Sequence, residues 1–141
     1  MIDSKSMPLV GSQNAVATVA LPARPPVLDE LALAGLRQLD PTGVNQLMPR
    51  VLTTYRTSLA RLLGQMSAAR QQSDTAALRL ATHTLKSSSA SIGALRLSVL
   101  CGAAEQAARD GRIEDLPALL DQLEAEAADV DAAVLQLLQD Q

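Results

Sequence analysis

The chain has 141 residues, of which 48% are hydrophobic and 19% are charged, and only one is aromatic. This length allows one domain with a buried core but not two large ones. Because alanine and leucine dominate the apolar residues while phenylalanine and tryptophan are absent, the composition predicts an all-α fold packed by aliphatic side chains.

Residue counts exclude several kinds of site. One histidine and one cysteine cannot form a structural zinc site, an iron–sulfur cluster or an intrachain disulfide. No glycine-rich phosphate loop is present, so we expect neither an ATP site nor a cofactor of the protein's own. A net charge of −3 with almost no aromatic residues argues against nucleic-acid binding.

Residues 1–27 are predicted to form a flexible, proline-containing leader or linker outside the core. Proline and glycine interrupt the apolar runs of this segment, and the stretch 15–21 is too short to cross a membrane. We therefore expect no membrane contact and a cytoplasmic domain over 28–141. The leader is interpreted as a linker that joins this domain to a preceding part of a larger protein.

From residue 28 onward the apolar spacing is helical and divides into five segments. The predicted helices cover residues 28–39, 44–71, a third segment from a cap at Ser73 or Asp74 to 91, then 94–110 and 115–138. Pro49 either kinks the first turn of the second helix or marks its regular start. Gly93 and Gly111 are expected to end the third and fourth helices.

The last predicted helix carries apolar residues at alternating steps of four and three, which is the packing pattern of a left-handed helical bundle. These residues are Leu116, Leu120, Leu123, Ala127, Val130, Val134 and Leu137. Four long amphipathic helices with short connections predict an antiparallel four-helix bundle, and the short first helix is expected to cap one end.

Charge is distributed unevenly along the chain. Residues 50–112 contain nine basic and three acidic side chains, whereas residues 113–141 contain eight acidic side chains and no basic one. Two interpretations remain open: these are solvated faces, or the basic middle of the chain meets an acidic partner.

His83 is the one residue of a type that titrates near neutrality. On a helical projection the core-facing residues of its helix are Leu78, Ala81, Leu85, Ser89 and Ile92. His83 points about 160° away from the centre of this group, so its imidazole is predicted to face solvent. An exposed neutral imidazole is a competent nucleophile toward phosphorus, although a single histidine on a helix can also be an ordinary surface residue.

The neighbours of His83 on this outer face suit an anionic group. Arg79 and Lys86 place positive charge beside the ring, while Ser87 and Ala90 are small enough for another protein to approach. Hydrolase chemistry fits less well, because the neighbouring helical positions supply no carboxylate to orient the imidazole for a Ser87–His83 pair.

Two other reactive residue types are expected to be buried. Cys101 shares the apolar side of the fourth helix, and Tyr55 lies on the inward stripe of the second. We therefore interpret both as core residues rather than as parts of a site.

Residues 81–94 resemble the signature of the histidine-containing phosphotransfer (HPt) domain. The sequence Ala81-Thr82-His83-Thr84-Leu85-Lys86-Ser87-Ser88-Ser89-Ala90-Ser91-Ile92-Gly93-Ala94 has the family's histidine, the Leu-Lys pair, a small residue, a serine-rich stretch and a glycine ten places after the histidine. Matching surroundings extend the resemblance over 28–139, and they are Leu28-Asp29, Asp74, Glu105 and Asp110-Gly111. The chain departs from the family at Ser87, where glycine is frequent, and at Ala90 and Ser91, where glycine or asparagine is common.

The resemblance implies that His83 accepts a phosphoryl group from the aspartyl phosphate of one receiver domain and passes it to another. The receivers would belong to a hybrid sensor histidine kinase, a response regulator or both, and we expect a monomeric carrier rather than an enzyme. The domain would be either a free protein or the C-terminal part of a membrane-bound hybrid sensor kinase, and the leader favours the second. In this hypothesis Lys86 steadies the phosphoryl charge and Ser87 donates a hydrogen bond. Docking residues would be Ala76, Arg79, Leu80 and Ala90.

The sequence places no cluster of carboxylates around His83 to hold a metal, so Mg²⁺ is expected to come from the receiver domain. A non-catalytic four-helix adaptor that docks a signalling partner without phosphorylation is the alternative function. Self-association through the last helix is less favoured, because the bundle already needs the apolar face of that helix.

Overall fold

The computed structural model describes residues 26–141, which form five α-helices and one turn of 3-10 helix. The α-helices are α1 (Glu30–Gln38), α2 (Leu47–Gln71), α3 (Thr75–Ser91), α4 (Leu95–Arg109) and α5 (Leu116–Gln139), with the 3-10 turn at Ile113–Asp115. Helix α3 packs against α2 and α4, and α5 packs against the same two helices on the other side. This is the predicted all-α four-helix bundle. Residues 1–25 of the predicted leader lie outside the described residues. Its last two residues, 26 and 27, are described, and Val27 is partly buried against the core.

The core is aliphatic, as the composition predicts. Each of the four long helices, α2 to α5, contributes residues with no exposed surface, among them Leu52, Leu85, Leu97, Leu123, Val130 and Val134. Cys101 and Tyr55 are both buried, which confirms the two core assignments. The Tyr55 hydroxyl lies 2.8 Å from the Ser89 hydroxyl, so the phenol has a polar partner inside the apolar core.

Helix α1 closes one end of the bundle, as predicted. The Asp29 side chain caps it by accepting from the Ala32 N–H at 3.1 Å. The Asp29 N–H donates to the carbonyl of Gly93 at 2.8 Å. Gly93 has φ +83°, and a Cβ there would lie 2.9 Å from the Asp29 backbone nitrogen. The glycine after α3 therefore permits both the left-handed turn and the close approach of α1.

Helix α2 begins three residues later than predicted, because Asp40 holds the preceding segment as a turn. The Asp40 carboxylate accepts from the N–H groups of Asn45 at 3.2 Å and Leu47 at 3.1 Å. It thus caps a helix whose own cap position, Gln46, makes no side-chain capping bond. Pro49 falls in the first turn, where a backbone N–H has no intrahelical acceptor, so it is accommodated there.

The predicted ends of α2 and α3, at residues 71 and 91, agree with the structure, and the remaining helix ends differ from the predictions by one or two residues. Asp74, and not Ser73, caps α3, since its carboxylate accepts from the Ala77 N–H at 3.0 Å. The 3-10 turn before α5 was not predicted. It moves the start of that helix to Leu116, directly before Pro117.

Candidate functional site

Helix α3 holds His83 on the outside of the bundle. All five residues predicted to face the core, Leu78, Ala81, Leu85, Ser89 and Ile92, are buried. The His83 side chain is 59% exposed. Since the opposite side of the helix is fixed in the core, the imidazole is presented to solvent on a rigid element.

A carboxylate from the neighbouring helix contacts the imidazole. Glu105 of α4 places Oε2 2.9 Å from His83 Nδ1. This corrects the expectation that no carboxylate orients the ring: helical periodicity reports only neighbours on the same helix, whereas Glu105 lies 22 positions along the chain. An ionised carboxylate only accepts hydrogen bonds, so Nδ1 carries the proton, and in the neutral imidazole Nε2 then holds the lone pair.

Glu105 is held by two further groups. Lys86 Nζ donates to Glu105 Oε1 at 2.8 Å, and Arg109 Nη2 donates to Oε2 at 3.0 Å. The Glu105 side chain is only 6% exposed. The hydrogen bond from Lys86 lowers the pKa of Glu105 most strongly; burial opposes this effect, and the bond to His83 adds to it. Glu105 is thus kept ionised beside the ring.

Lys86 itself lies along the groove between α3 and α4. A Cβ at Gly102 would lie 3.4 Å from Lys86 Cδ, which is ordinary contact distance, so the lysine stem packs beside the backbone of α4 there. The Ser98 hydroxyl donates to the Lys86 carbonyl at 2.9 Å. Contacts from α4 therefore fix the backbone and the stem of the lysine, and its amine reaches the carboxylate that touches His83.

The structure brings most of the predicted site residues together on one surface. Ala76, Arg79 and Leu80 line a shallow depression with His83 and Glu105. Ser87 and Ala90 are exposed further along α3. They lie outside this depression, toward the C-terminal end of the helix.

Sequence reasoning from the residues did not assign roles to Glu105 and Arg109. Glu105 entered only as a match in the surroundings of the motif, and Arg109 was counted only among the basic residues. One signal was available: Glu105 falls beside the buried stripe of α4, where a carboxylate needs partners, and Arg109 stands four positions later.

Other features of the described chain bear on what the site can hold. Among residues 26–141, no three His, Cys, Asp or Glu side chains lie close enough together to hold a metal ion. No helix in this part of the chain is long and apolar enough to cross a membrane. A cavity of about 460 Å³ lies between the α2–α3 and α4–α5 connections, at the end away from α1.

Comparisons with known proteins point to one family. The Hpt domain family matches residues 50–133. The crystal structure of histidine-containing phosphotransfer protein B from Pseudomonas aeruginosa PAO1 is similar with 32% identity and a TM-score of 0.75, covering 84% of this chain and 99% of that one.

A second solved structure shares the fold. It is the X-ray structure of a rice protein assigned as a histidine-containing phosphotransfer protein, with 22% identity and a TM-score of 0.69 over 80% of this chain and 82% of that one. A search of curated proteins found no match.

Proposed function

This chain belongs to the Hpt domain family and has a histidine phosphotransfer role in phosphorelay signalling, and from that premise we propose that His83 is the residue that carries the phosphoryl group. The observation that carries the proposal is the 2.9 Å contact between His83 Nδ1 and Glu105 on an otherwise exposed ring. It leaves Nε2 as the unprotonated nitrogen facing outward, and that atom is the nucleophile.

The transfer step uses the Nε2 lone pair. Nε2 attacks the phosphorus of an aspartyl phosphate on a receiver domain, the Nε2–P bond forms, and the bond between phosphorus and the aspartyl oxygen breaks with its electron pair leaving on the carboxylate. A second receiver aspartate reverses these events: its oxygen attacks phosphorus and the electron pair returns to Nε2. The proton stays on Nδ1, which donates it in a hydrogen bond to Glu105 throughout. Neither direction therefore requires a net proton transfer.

The residues around His83 divide the remaining tasks. Lys86 lies one helical turn from His83, and its amine, held 2.8 Å from Glu105, steadies the charge of the phosphoryl group. Ser87 is exposed and donates a hydrogen bond to that group. Ala76 and Leu80 of the depression beside His83 and the exposed Ala90 form an apolar rim for docking, while Arg79 adds attraction to an acidic receiver.

The partner completes the site. Hpt proteins interact with receiver domains in general, and the receivers proposed here belong to a hybrid sensor histidine kinase and a response regulator. The chain then acts as a monomeric phosphoryl carrier in the cytoplasm. The receiver supplies the Mg²⁺ and the carboxylates that hold it, and this chain supplies the nucleophile and its orientation.

The test is a transfer assay with receiver domains carrying radioactive phosphate. The wild-type chain is expected to take up label that is labile to acid and stable to alkali, and His83→Gln to take up none. Helicity is expected to be unchanged in the variant, because an outward-facing substitution removes no core volume. Thr84→Gln, at an exposed neighbouring position of α3, is the matched control and should be labelled normally.

Two results would contradict the proposal. Labelling of the His83→Gln variant at the wild-type rate would place the phosphoryl group on another residue. A folded wild-type chain that binds receivers but takes no label from any of a panel would instead support a non-catalytic adaptor.

A further inference from the structure

Arg109 has a defined place beside the phosphoryl site although it does not touch the imidazole. Its Nη2 donates to Glu105 Oε2 at 3.0 Å, and His83 Nδ1 lies 2.9 Å from the same oxygen. Its Nη1 donates to the Gln106 side chain at 3.1 Å, which fixes the guanidinium from a second side. One carboxylate oxygen therefore links Arg109 to the ring.

The charges at this position oppose each other. A phosphoryl group on Nε2 adds roughly two negative charges. Glu105 lies on the Nδ1 side of the ring, where it accepts the hydrogen bond from Nδ1–H. Its negative charge repels the phosphoryl group. Lys86 and Arg109 both pair with Glu105, so the cluster of these three side chains has a net charge of +1 instead of −1.

We propose that Arg109 is a positioning residue that acts through Glu105 to set how strongly this carrier holds its phosphoryl group, and so the equilibrium between phosphohistidine and receiver phosphoaspartate. The inference rests on the proposed function of His83. Without the guanidinium, the net charge of the three-residue cluster falls from +1 to 0, its attraction for the phosphoryl group weakens, and the equilibrium shifts toward the receiver.

The equilibrium constant separates this role from docking. A residue that only binds the receiver changes the forward and reverse rates by the same factor, because the free carrier and the free receiver are unchanged. The hydrogen bond from Nδ1–H to Glu105 is present with and without the phosphoryl group, so its contribution to the equilibrium constant largely cancels. The interaction of the Arg109 charge with the phosphoryl group exists in the phosphorylated state alone and does not cancel.

The experiment measures transfer in both directions with whichever receiver domain of a panel exchanges phosphate fastest with the wild-type chain. The ratio of forward to reverse kcat/KM, at fixed Mg²⁺, gives the equilibrium constant. For Arg109→Gln we expect a shift of about three- to tenfold toward receiver phosphate, the size of effect that a half-exposed charge within about 10 Å produces. Arg109→Lys keeps the charge and should restore the wild-type ratio.

Matched variants and salt sharpen the test. Arg56→Gln removes a cation that pairs with Asp131 of α5 on the other side of the bundle, and it is expected to leave the ratio unaltered. The Arg109→Gln shift should shrink in about 1 M salt, where charges are screened over about 3 Å. An unchanged ratio in Arg109→Gln, or an equal shift in Arg109→Lys, would overturn the inference. Absence of any transfer to the wild-type chain would instead refute the function on which it rests.

Discussion

Glu105 shows how a single side chain organises the site. Its carboxylate is almost fully buried, yet it stays ionised because the Lys86 hydrogen bond lowers its pKa against the opposing effect of burial. An ionised carboxylate beside Nδ1 selects one imidazole tautomer, and that choice leaves Nε2 reactive. The reactivity of the exposed histidine thus depends on a residue that solvent hardly reaches.

The Glu105→Gln variant tests this dependence. Its amide is a weaker acceptor for Nδ1–H and removes the anionic partner of Lys86 and Arg109. We expect phosphorylation of His83 to slow by roughly tenfold, the lower end of what loss of an outer partner costs an oriented histidine. Nitrogen NMR of the imidazole should show a mixture of tautomers in place of the Nδ1–H form. A wild-type rate with an unchanged nitrogen spectrum would show that Glu105 does not orient the ring.

At the scale of elements, the connection between α3 and α4 determines where α1 docks. Gly93 adopts φ +83° and lies against the backbone of Asp29. Gly111, after α4, has a similar φ of +73°, but a Cβ there would meet nothing within 4 Å. The two glycines share a left-handed conformation and differ in the space around them.

Alanine at each glycine separates these two requirements. Both variants incur the strain of a left-handed alanine, about 1 kcal/mol. Gly93→Ala also forces α1 away, so we expect it to lower the free energy of unfolding by about 1–3 kcal/mol more than Gly111→Ala does. Urea denaturation followed by circular dichroism measures both. Equal losses in the two variants would show that the close approach of α1 contributes nothing to stability.

Across the whole molecule, the uneven charge of the sequence is partly satisfied internally. Helix α5 pairs with α2 through Arg56–Asp131 and Arg70–Asp121, and with α4 through Arg96–Glu126. The acidic C-terminal segment is therefore in part a partner of the basic middle of the same chain, an arrangement that neither sequence interpretation included. The cations of the Glu105 cluster lie on the other side, between α3 and α4.

Tyr55 reports on the integrity of the whole core, because it is the only tyrosine in the chain. Burial raises the pKa of Tyr55 to about 12, while the Ser89 hydrogen bond acts in the opposite direction. The folded state favours the neutral phenol. The neutral phenol therefore stabilises the folded state fully at pH values below 10.0, the ordinary pKa of tyrosine. This stabilisation is lost as the pH rises toward 12.

An alkaline titration followed by tyrosinate absorbance checks this expectation. The native chain should ionise near pH 12, and the chain unfolded in urea near its ordinary value. The stability advantage of wild type over Tyr55→Phe should decline over this interval. Native ionisation near pH 10 would mean that the phenol reaches solvent and the core is open.

The sequence by itself determined the helices, their buried faces and the exposure of His83, because each depends on periodicity within one continuous segment. Local pattern also narrowed the cap of α3 to Ser73 or Asp74 and indicated the turn at Gly93. It did not place the start of α2, because Asp40 sets that start from outside the helix.

Only the tertiary structure decided which groups meet across helices. Glu105 reaches His83 from a segment 22 residues away, and the distance between them depends on how α3 and α4 pack. The same packing gives Lys86 and Arg109 a shared carboxylate and supplies α5 with basic partners. Periodicity specifies the face on which a side chain lies, whereas hydrogen bonds and ion pairs depend on separations of a few ångströms that are fixed when the helices pack.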